Sequence, residues 1–244
     1  MTRSKMSVLT TLSVVFCSAV ASPEDATLAQ IMKAHVEAVG GVDNIHKVVS
    51  MHRSGKATMD GIIGHMEGTF EEISIIERKA YSKMDLVAFM QRSGWDGQIG
   101  WAEDAMLGLR DIEGDELELL KNQARVDTLA TVWMLSGANG FSPLPAETHD
   151  GREFHVVEIV GVDGATYYID PDDHHVRRIK LDYNDPQMGP STIIVKFDKY
   201  TQFDGVMLPN QVAVDIADGT IEVVYDYEKT VLNGEIDETV FNKP

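Results

Sequence analysis

Runs rich in Val, Ile, Tyr, Phe and Thr recur along most of this 244-residue chain and read as strands. Near the C-terminal end Ile221, Val223, Tyr225 and Tyr227 alternate with Glu222, Asp226 and Glu228, which predicts a strand with one buried face and one wet face. Upstream, Thr69, Phe70, Ile73, Ile75 and Ile76, then Ala80 to Val87, then Trp95 to Trp101, read as a meander of four or five strands between Met51 and about Glu103. Strands resume at Phe154 to Val160, after a loop placed over residues 137–145, and continue to the end. Six Asp-Gly pairs, at Asp60-Gly61, Asp96-Gly97, Asp150-Gly151, Asp163-Gly164, Asp204-Gly205 and Asp218-Gly219, offer the positive φ angles that hairpin turns need.

Only two stretches break this rhythm. Ser22-Pro23-Glu24-Asp25 offers an N-cap, a proline at the first helical position and a carboxylate at N3. Leu28, Ile31, Met32, Val36 and Val39 then follow at helical spacing until Gly40-Gly41. His35 shares the apolar face, where a hydrogen-bonded core histidine is the ordinary reading. A short turn over Val42 to Val48 leads into the strands. The second helix is predicted over Glu116 to Leu135, where Leu117, Leu120, Ala124, Leu129, Val132 and Trp133 recur without a proline or glycine. About eleven antiparallel strands with two helices define an α+β fold: a strongly curled sheet, or incomplete β-barrel, whose mouth the helices cover. Its interior is either packed by side chains or left as an apolar cavity.

Composition adds an address and a sign. Arg3 and Lys5 precede an apolar run through Val8, Leu9, Val14, Val15 and Phe16 that ends at Ala19-Val20-Ala21, the pattern of a cleavable secretory signal over residues 1–21. The run is too short to span a bilayer comfortably. Residues 22–244 then form one domain, with no linker or repeat to divide them. Cleavage would remove two basic residues and no acid, leaving 19 Lys and Arg against 39 Asp and Glu, a formal charge of −20. That charge argues against nucleic acid and against an anionic membrane surface as broad electrostatic partners. Cys17, the lone cysteine, goes with the signal, so the exported domain has no disulfide.

The chain resembles the LolA/LolB-like superfamily of exported lipoprotein carriers. The resemblance rests on the amphipathic helix after the signal, a strand ending in Glu77-Arg78-Lys79, the turn Asp96-Gly97 before Trp101, and the midchain helix. Tyr168-Ile169-Asp170-Pro171, Leu208-Pro209, Ile236-Asp237 and the ending Phe241 to Pro244 are similar to the broader, uncharacterised members. The resemblance implies a periplasmic, non-enzymatic binder of lipoprotein acyl chains, lipid or another hydrophobic ligand, with no cofactor and no stable membrane insertion. It also implies an inner-membrane donor and an outer-membrane acceptor. In such carriers an arginine late in an early strand pins the helical lid. Arg78 sits in the matching strand, with Lys79 where a proline usually follows; its other reading is a surface cation beside Glu77, and Arg53 and Arg92 are less well placed.

A cavity of this kind would use Leu117, Leu120, Leu129, Val132, Trp133 and Met134 as its lid, opposed by Phe70, Ile75, Phe89 and Trp101; the same residues would also make an ordinary core. Ten methionines past residue 21 suit a surface that adapts to mixed acyl chains. Burial at about 0.8 kcal/mol per methylene holds an acyl chain without any polar motif. Enzyme signatures are missing: no Gly-x-Ser-x-Gly elbow, no His-Glu-x-x-His helix, no phosphate loop. Asp170, Asp172, Asp173, His174 and His175 form the densest set of metal-ligand types, but Asp-Pro-Asp-Asp is equally a loop composition between strands. A periplasmic sensor of the same fold is the other reading, although sensors of this type usually carry a second domain.

Overall fold

The computed structural model describes residues 27–62, 64–87, 89–114, 116–118, 120–121, 141–159, 165–185, 189–216 and 219–244. The signal stretch therefore lies outside the described residues, as do Ser22 and Pro23. Helix α1 spans Leu28–Ala38 and is capped by Thr27 rather than by Ser22, so it starts later than the sequence suggests, where Thr27 and Gln30 complete a capping box. The Thr27 hydroxyl accepts from the Gln30 N–H while the Gln30 side chain takes the Thr27 N–H, a reciprocal capping box. Gly40 and Gly41 have positive φ and turn the chain into α2, Val42–Ile45.

Among the described residues fifteen strands follow: β1 Ser50–Gly61, β2 Gly64–Ile75, β3 Lys79–Leu86, β4 Phe89–Trp95, β5 Gly100–Asp104, β6 Gly108–Ile112, β7 Phe141–His149, β8 Arg152–Ile159, β9 Thr166–Ile169, β10 Val176–Asp185, β11 Gly189–Asp198, β12 Thr201–Phe203, β13 Val206–Leu208, β14 Gln211–Ile216 and β15 Ile221–Leu232. Thirteen form one antiparallel sheet in the order β6-β5-β4-β3-β2-β1-β15-β14-β11-β10-β9-β8-β7, and β12 and β13 pair separately. The sheet curls without closing, so the fold is the expected incomplete barrel with helices, built from thirteen strands rather than eleven. One extra strand is β7, which the sequence reads as loop because of Pro143 and Pro145. Proline is tolerated at a sheet edge, and β7 is the terminal strand with a register shift between Leu144 and Glu147. The β12–β13 hairpin lies outside that sheet; it docks on the α1–α2 junction, where Met207 N–H donates to the Val39 carbonyl at 3.0 Å.

Turn chemistry is mixed. Asp150-Gly151 and Asp204-Gly205 make two-residue turns with both residues at positive φ, between His149 and Arg152 and between Phe203 and Val206. Asp96 works through its side chain, which accepts the N–H groups of Gln98 and Ile99 in a four-residue turn. Asp60-Gly61 is not a turn: Gly61 pairs with Gly64, and the two residues between them are Ile62 and Ile63. Asp163-Gly164 and Asp218 lie outside the described residues.

The main core gathers on one face of the sheet. It joins Ala57 and Met59 of β1, Phe70 of β2, Leu86 of β3, Val157 of β8, Tyr167 and Ile169 of β9, Val176 and Ile179 of β10, and Val223 and Tyr227 of β15, and Ile31 of α1 packs into it. This is the inner face of the curl. Fully burying a side chain such as Phe70 or Ile179 contributes roughly 1.5–3 kcal/mol. A second cluster, Val36, Val39, Ile45, Val48, Met51, Val206, Leu208 and Leu232, ties the end of α1 and α2 to the small hairpin.

Candidate functional site

Strand β1 shows how the interior is lined. Met51, Arg53, Gly55, Ala57 and Met59 are all buried, whereas His52, Ser54, Lys56, Thr58 and Asp60 are not. Arg53 is thus a cation in the apolar register, and it is completely buried. Its guanidinium lies over the Tyr227 ring, 3.1 Å from the centroid, and donates to the Pro209 carbonyl. Tyr227 in turn donates to Glu72 at 3.0 Å and meets Phe70 edge-on, with centroids 4.9 Å apart. A buried cation needs compensation, and ring face and carbonyl supply it here. Gly55 is required at this point: a Cβ would fall 1.9 Å from the Asp226 carbonyl oxygen, at the shift in β1–β15 register.

Among the sequence candidates, Phe70 is buried on the inner face and Phe89 packs against the same cluster. Residues 114, 116–118, 120 and 121 are helical, at the start of the expected midchain helix; residues 122–135 of that helix lie outside the described residues. Leu120 is buried with Ala80, Trp95, Ala102 and Ile112, and Leu117 packs beside them. Gly100 makes room for it, since a Cβ there would sit 2.4 Å from Leu117 Cδ1. Leu129, Val132, Trp133 and Met134 lie outside the described residues.

Trp101 and Ile75 face the other way. Trp101 follows Gly100 in β5, so its side chain takes the face opposite to Leu117. There its indole covers Gly94, whose Cβ would come within 2.5 Å of the ring nitrogen, and its N–H donates to the Phe241 carbonyl at 2.8 Å. Phe241 is itself buried in a 3₁₀ turn, Glu238–Phe241, that Lys79 reaches through Glu238 at 2.7 Å. Ile75 alternates with Ser74, which pairs with the inner-face Ala80, so Ile75 also points outward. Neither residue opposes the midchain helix. Arg78 is exposed in the turn between β2 and β3, and the arginine buried in the interior is Arg53. Sequence reading named Arg53 but ranked it behind Arg78, although its position in the β1 alternation was a usable signal.

The Asp170 to His175 segment is the turn between β9 and β10. Asp170 is completely buried; its carboxylate accepts the Asp172 N–H at 2.9 Å and pairs with Arg152 at 2.7 Å and Arg177 at 3.5 Å. Asp173 takes the His175 N–H at 3.0 Å and pairs with Arg177. His174 is left-handed at φ 60°, and its carbonyl accepts from His35 of α1 at 2.7 Å. A carbonyl only accepts, so His35 carries its proton on Nδ1. Burial pushes the His35 pKa down to about 4, and the neighbouring His175 and His174 act in the same direction. His155, on the same side of β8 as the inner core residue Val157, is likewise held below the ordinary histidine range, chiefly by burial. The His175 ring stacks on Tyr200 at 4.2 Å, and Tyr200, whose burial pushes its phenol well up, donates to the Val176 carbonyl at 2.5 Å. Among the described residues no three His, Cys, Asp or Glu side chains converge on a metal-sized site. The acids of this turn are spent on arginines and backbone N–H groups.

No family model matches the chain, and no curated protein matches it in sequence. Solved structures do match in shape. A LolA superfamily protein from Nitrosomonas europaea superimposes with a TM-score of 0.56 at 11% identity, over 88% of this chain and 98% of that one. A DUF1329 family protein from Desulfovibrio piger gives 0.55 at 12% identity, over 87% and 95%. A domain from Vibrio parahaemolyticus described as an outer membrane lipoprotein-sorting protein gives 0.51 at 11%, over 87% and 95%. The chain therefore has the LolA-like fold, an open barrel whose inner face is covered by helices. Among the described residues no helix is long and apolar enough to cross a membrane.

Proposed function

We propose that the chain is an exported carrier or binding protein for the acyl chains of lipoproteins or another lipid, acting in the periplasm as the single domain 22–244 after residues 1–21 are removed. The observation that carries this reading is the inner face itself: among the described residues, apolar side chains from strands across the curled sheet are covered by α1 and the start of the midchain helix rather than by a second sheet. Helices of this kind can lift as units, whereas a packed second sheet cannot. The sorting role described for the Vibrio parahaemolyticus domain and the LolA-like shape point the same way. Loading would be exchange: the covering helices move, acyl chains enter from a donor and leave to an acceptor, and no bond is made or broken. Each buried methylene contributes about 0.8 kcal/mol, so a chain of ordinary length is held firmly without a polar motif. Phe70, Phe89, Leu117 and Leu120 form the described part of the binding face, with Arg53 anchoring its floor.

The test is native mass spectrometry of the protein recovered from a bacterial periplasm, followed by organic extraction and uptake of a fluorescent acyl probe. A stoichiometric acylated species is expected, and Leu120→Asp should weaken probe binding at least about tenfold, the scale of placing a charge in an apolar site, with unchanged strand content by circular dichroism. A protein that emerges empty and takes up no probe would overturn the reading.

A further inference from the structure

Three consecutive hairpin tips on one rim of the barrel end in exposed aliphatic side chains. Ile62 in the β1–β2 turn is 84% exposed, Val87 in the β3–β4 turn 97%, and Met106 in the β5–β6 turn 76%, with Leu107 beside it at 51%. The topology puts them together. In a meander every second turn falls at the same end, and β1, β3 and β5 all run toward this one. Their ends are stepped: Gly68 of β2 pairs with Leu86, leaving Gly64 to Glu67 beyond the end of β3, and Gln91 of β4 pairs with Asp104, leaving Phe89 and Met90 beyond the end of β5. That stagger is the shear of a curled sheet whose strands tilt to the barrel axis, so the tips line one rim. At about 4.8 Å per strand sideways and about 3.4 Å per residue of stagger, neighbouring tips stand roughly 12–17 Å apart.

Folding does not ask for these residues. Where this chain needs a two-residue turn elsewhere it uses Asp-Gly, at Asp150-Gly151 and Asp204-Gly205. Ile62 stands in the tight connection between the paired Gly61 and Gly64, an aliphatic where turn chemistry favours Gly, Asn or Asp. The opposite rim carries Glu77 and Arg78 in the β2–β3 turn and Asp96 to Gln98 in the β4–β5 turn, with Ile99 and Val49 among its exposed apolar residues.

We propose that the aliphatic rim docks on a zwitterionic lipid surface, the three tips dipping into the headgroup layer. Separate convex tips suit a fluid surface that closes around each one, whereas a folded partner would need a matching pocket for every tip. Charge selects the lipid. The strand ends behind the tips carry Asp60, Glu67, Asp85 and Glu103 against Lys83 and Arg110, and His65 is itself held between Asp60 and Glu67 at 2.9 and 3.2 Å. With acids in excess, the rim repels anionic headgroups and tolerates neutral ones that present an ammonium. Docking of this strength is reversible, because a few aliphatic side chains bind far more weakly than a spanning helix. The inference deepens the carrier reading by naming the surface to which cargo is brought.

Co-flotation of the exported, processed protein with protein-free phosphatidylethanolamine and phosphatidylcholine vesicles tests it. Binding should survive salt raised to about 0.5 M, weaken when phosphatidylglycerol is added, and fall roughly tenfold for each of Ile62→Ser, Val87→Ser and Met106→Ser. Protein that stays off the vesicles, a triple variant that floats like the parent, or binding that needs phosphatidylglycerol and vanishes in salt would each overturn the proposal; the first would leave a protein partner for the rim. Acyl-probe loading by the triple variant should match the parent. Loading that fails in the parent while flotation persists would sink the carrier reading alone.

Discussion

The interior and the β9–β10 turn each bury a full charge, and they neutralise it by different means. Asp170 is served by its own neighbourhood: the Asp172 N–H two residues on, Arg177 seven residues on, and Arg152 at the start of β8. Arg53 is served from far away, by the Tyr227 ring face and the Pro209 carbonyl, both more than 150 residues downstream. One charge organises a turn whatever the rest of the barrel does. The other gains these contacts only when β1, β15 and the end of β13 have come together. A paired carboxylate within a local loop is a folding device, whereas a cation under an aromatic ring in an apolar lining is a feature of the assembled interior.

Removing each charge should separate the two roles. Asp170→Ala strips the turn of its buried backbone acceptor and takes from Arg152 and Arg177 the carboxylate they share, leaving them Asp172 and Asp173, and the expected loss is about 3 kcal/mol in urea unfolding. A loss below about 1 kcal/mol would show that Asp172 and Asp173 can hold the arginines alone.

The same turn also fastens α1 through His35, and acid should loosen that bond. His35 has a folded pKa of about 4, below its unfolded value of about 6.5. The unfolded chain therefore binds the proton first as pH falls. The contribution is complete above pH 6.5 and is lost progressively down to about pH 4, a decrease of about 3 kcal/mol, to which His155 adds in the same direction. Thermal unfolding from pH 7 to 4 should show the decline, and His35→Gln should flatten it. A slope unchanged in the variant would assign the effect to the carboxylates.

The smallest effect is expected at Arg53. Arg53→Met replaces a buried cation by an apolar chain of similar length, and such exchanges change stability by about 1 kcal/mol or less. Acyl-probe affinity should change more than stability does. A variant that fails to fold would make Arg53 as structural as Asp170.

Several elements were legible in the sequence because local chemistry decides them. The alternation of Ile221 to Glu228 and the Asp-Gly turns at 150–151 and 204–205 stand in the structure as spelled. Strand β7 was hidden because Pro143 and Pro145 signal a loop unless the strand is known to be terminal, which is a property of the whole sheet. The face of Trp101 was hidden for a related reason: it depends on parity, and Gly100 beside it is the residue that fixes that parity against Leu117. Arg53 was readable in principle, because it alone breaks the apolar series Met51, Gly55, Ala57, Met59 with a charge. A charge in an apolar register is the stronger signal than a charge at the end of a strand, where Arg78 stands exposed.

The prolines of β7 bear on how an open barrel survives in solution. An edge strand with a full row of N–H groups would invite a strand from a second molecule, and a curled sheet that does not close keeps such edges for its whole life. Pro143 and Pro145 have no N–H to offer, and the register shift between Leu144 and Glu147 interrupts the ladder between them and the end of the strand. An incoming strand would meet gaps where it needs donors, so β7 is a poor template for fibril growth. The gap in the barrel is thereby kept without making it a point of attachment for copies of the same chain.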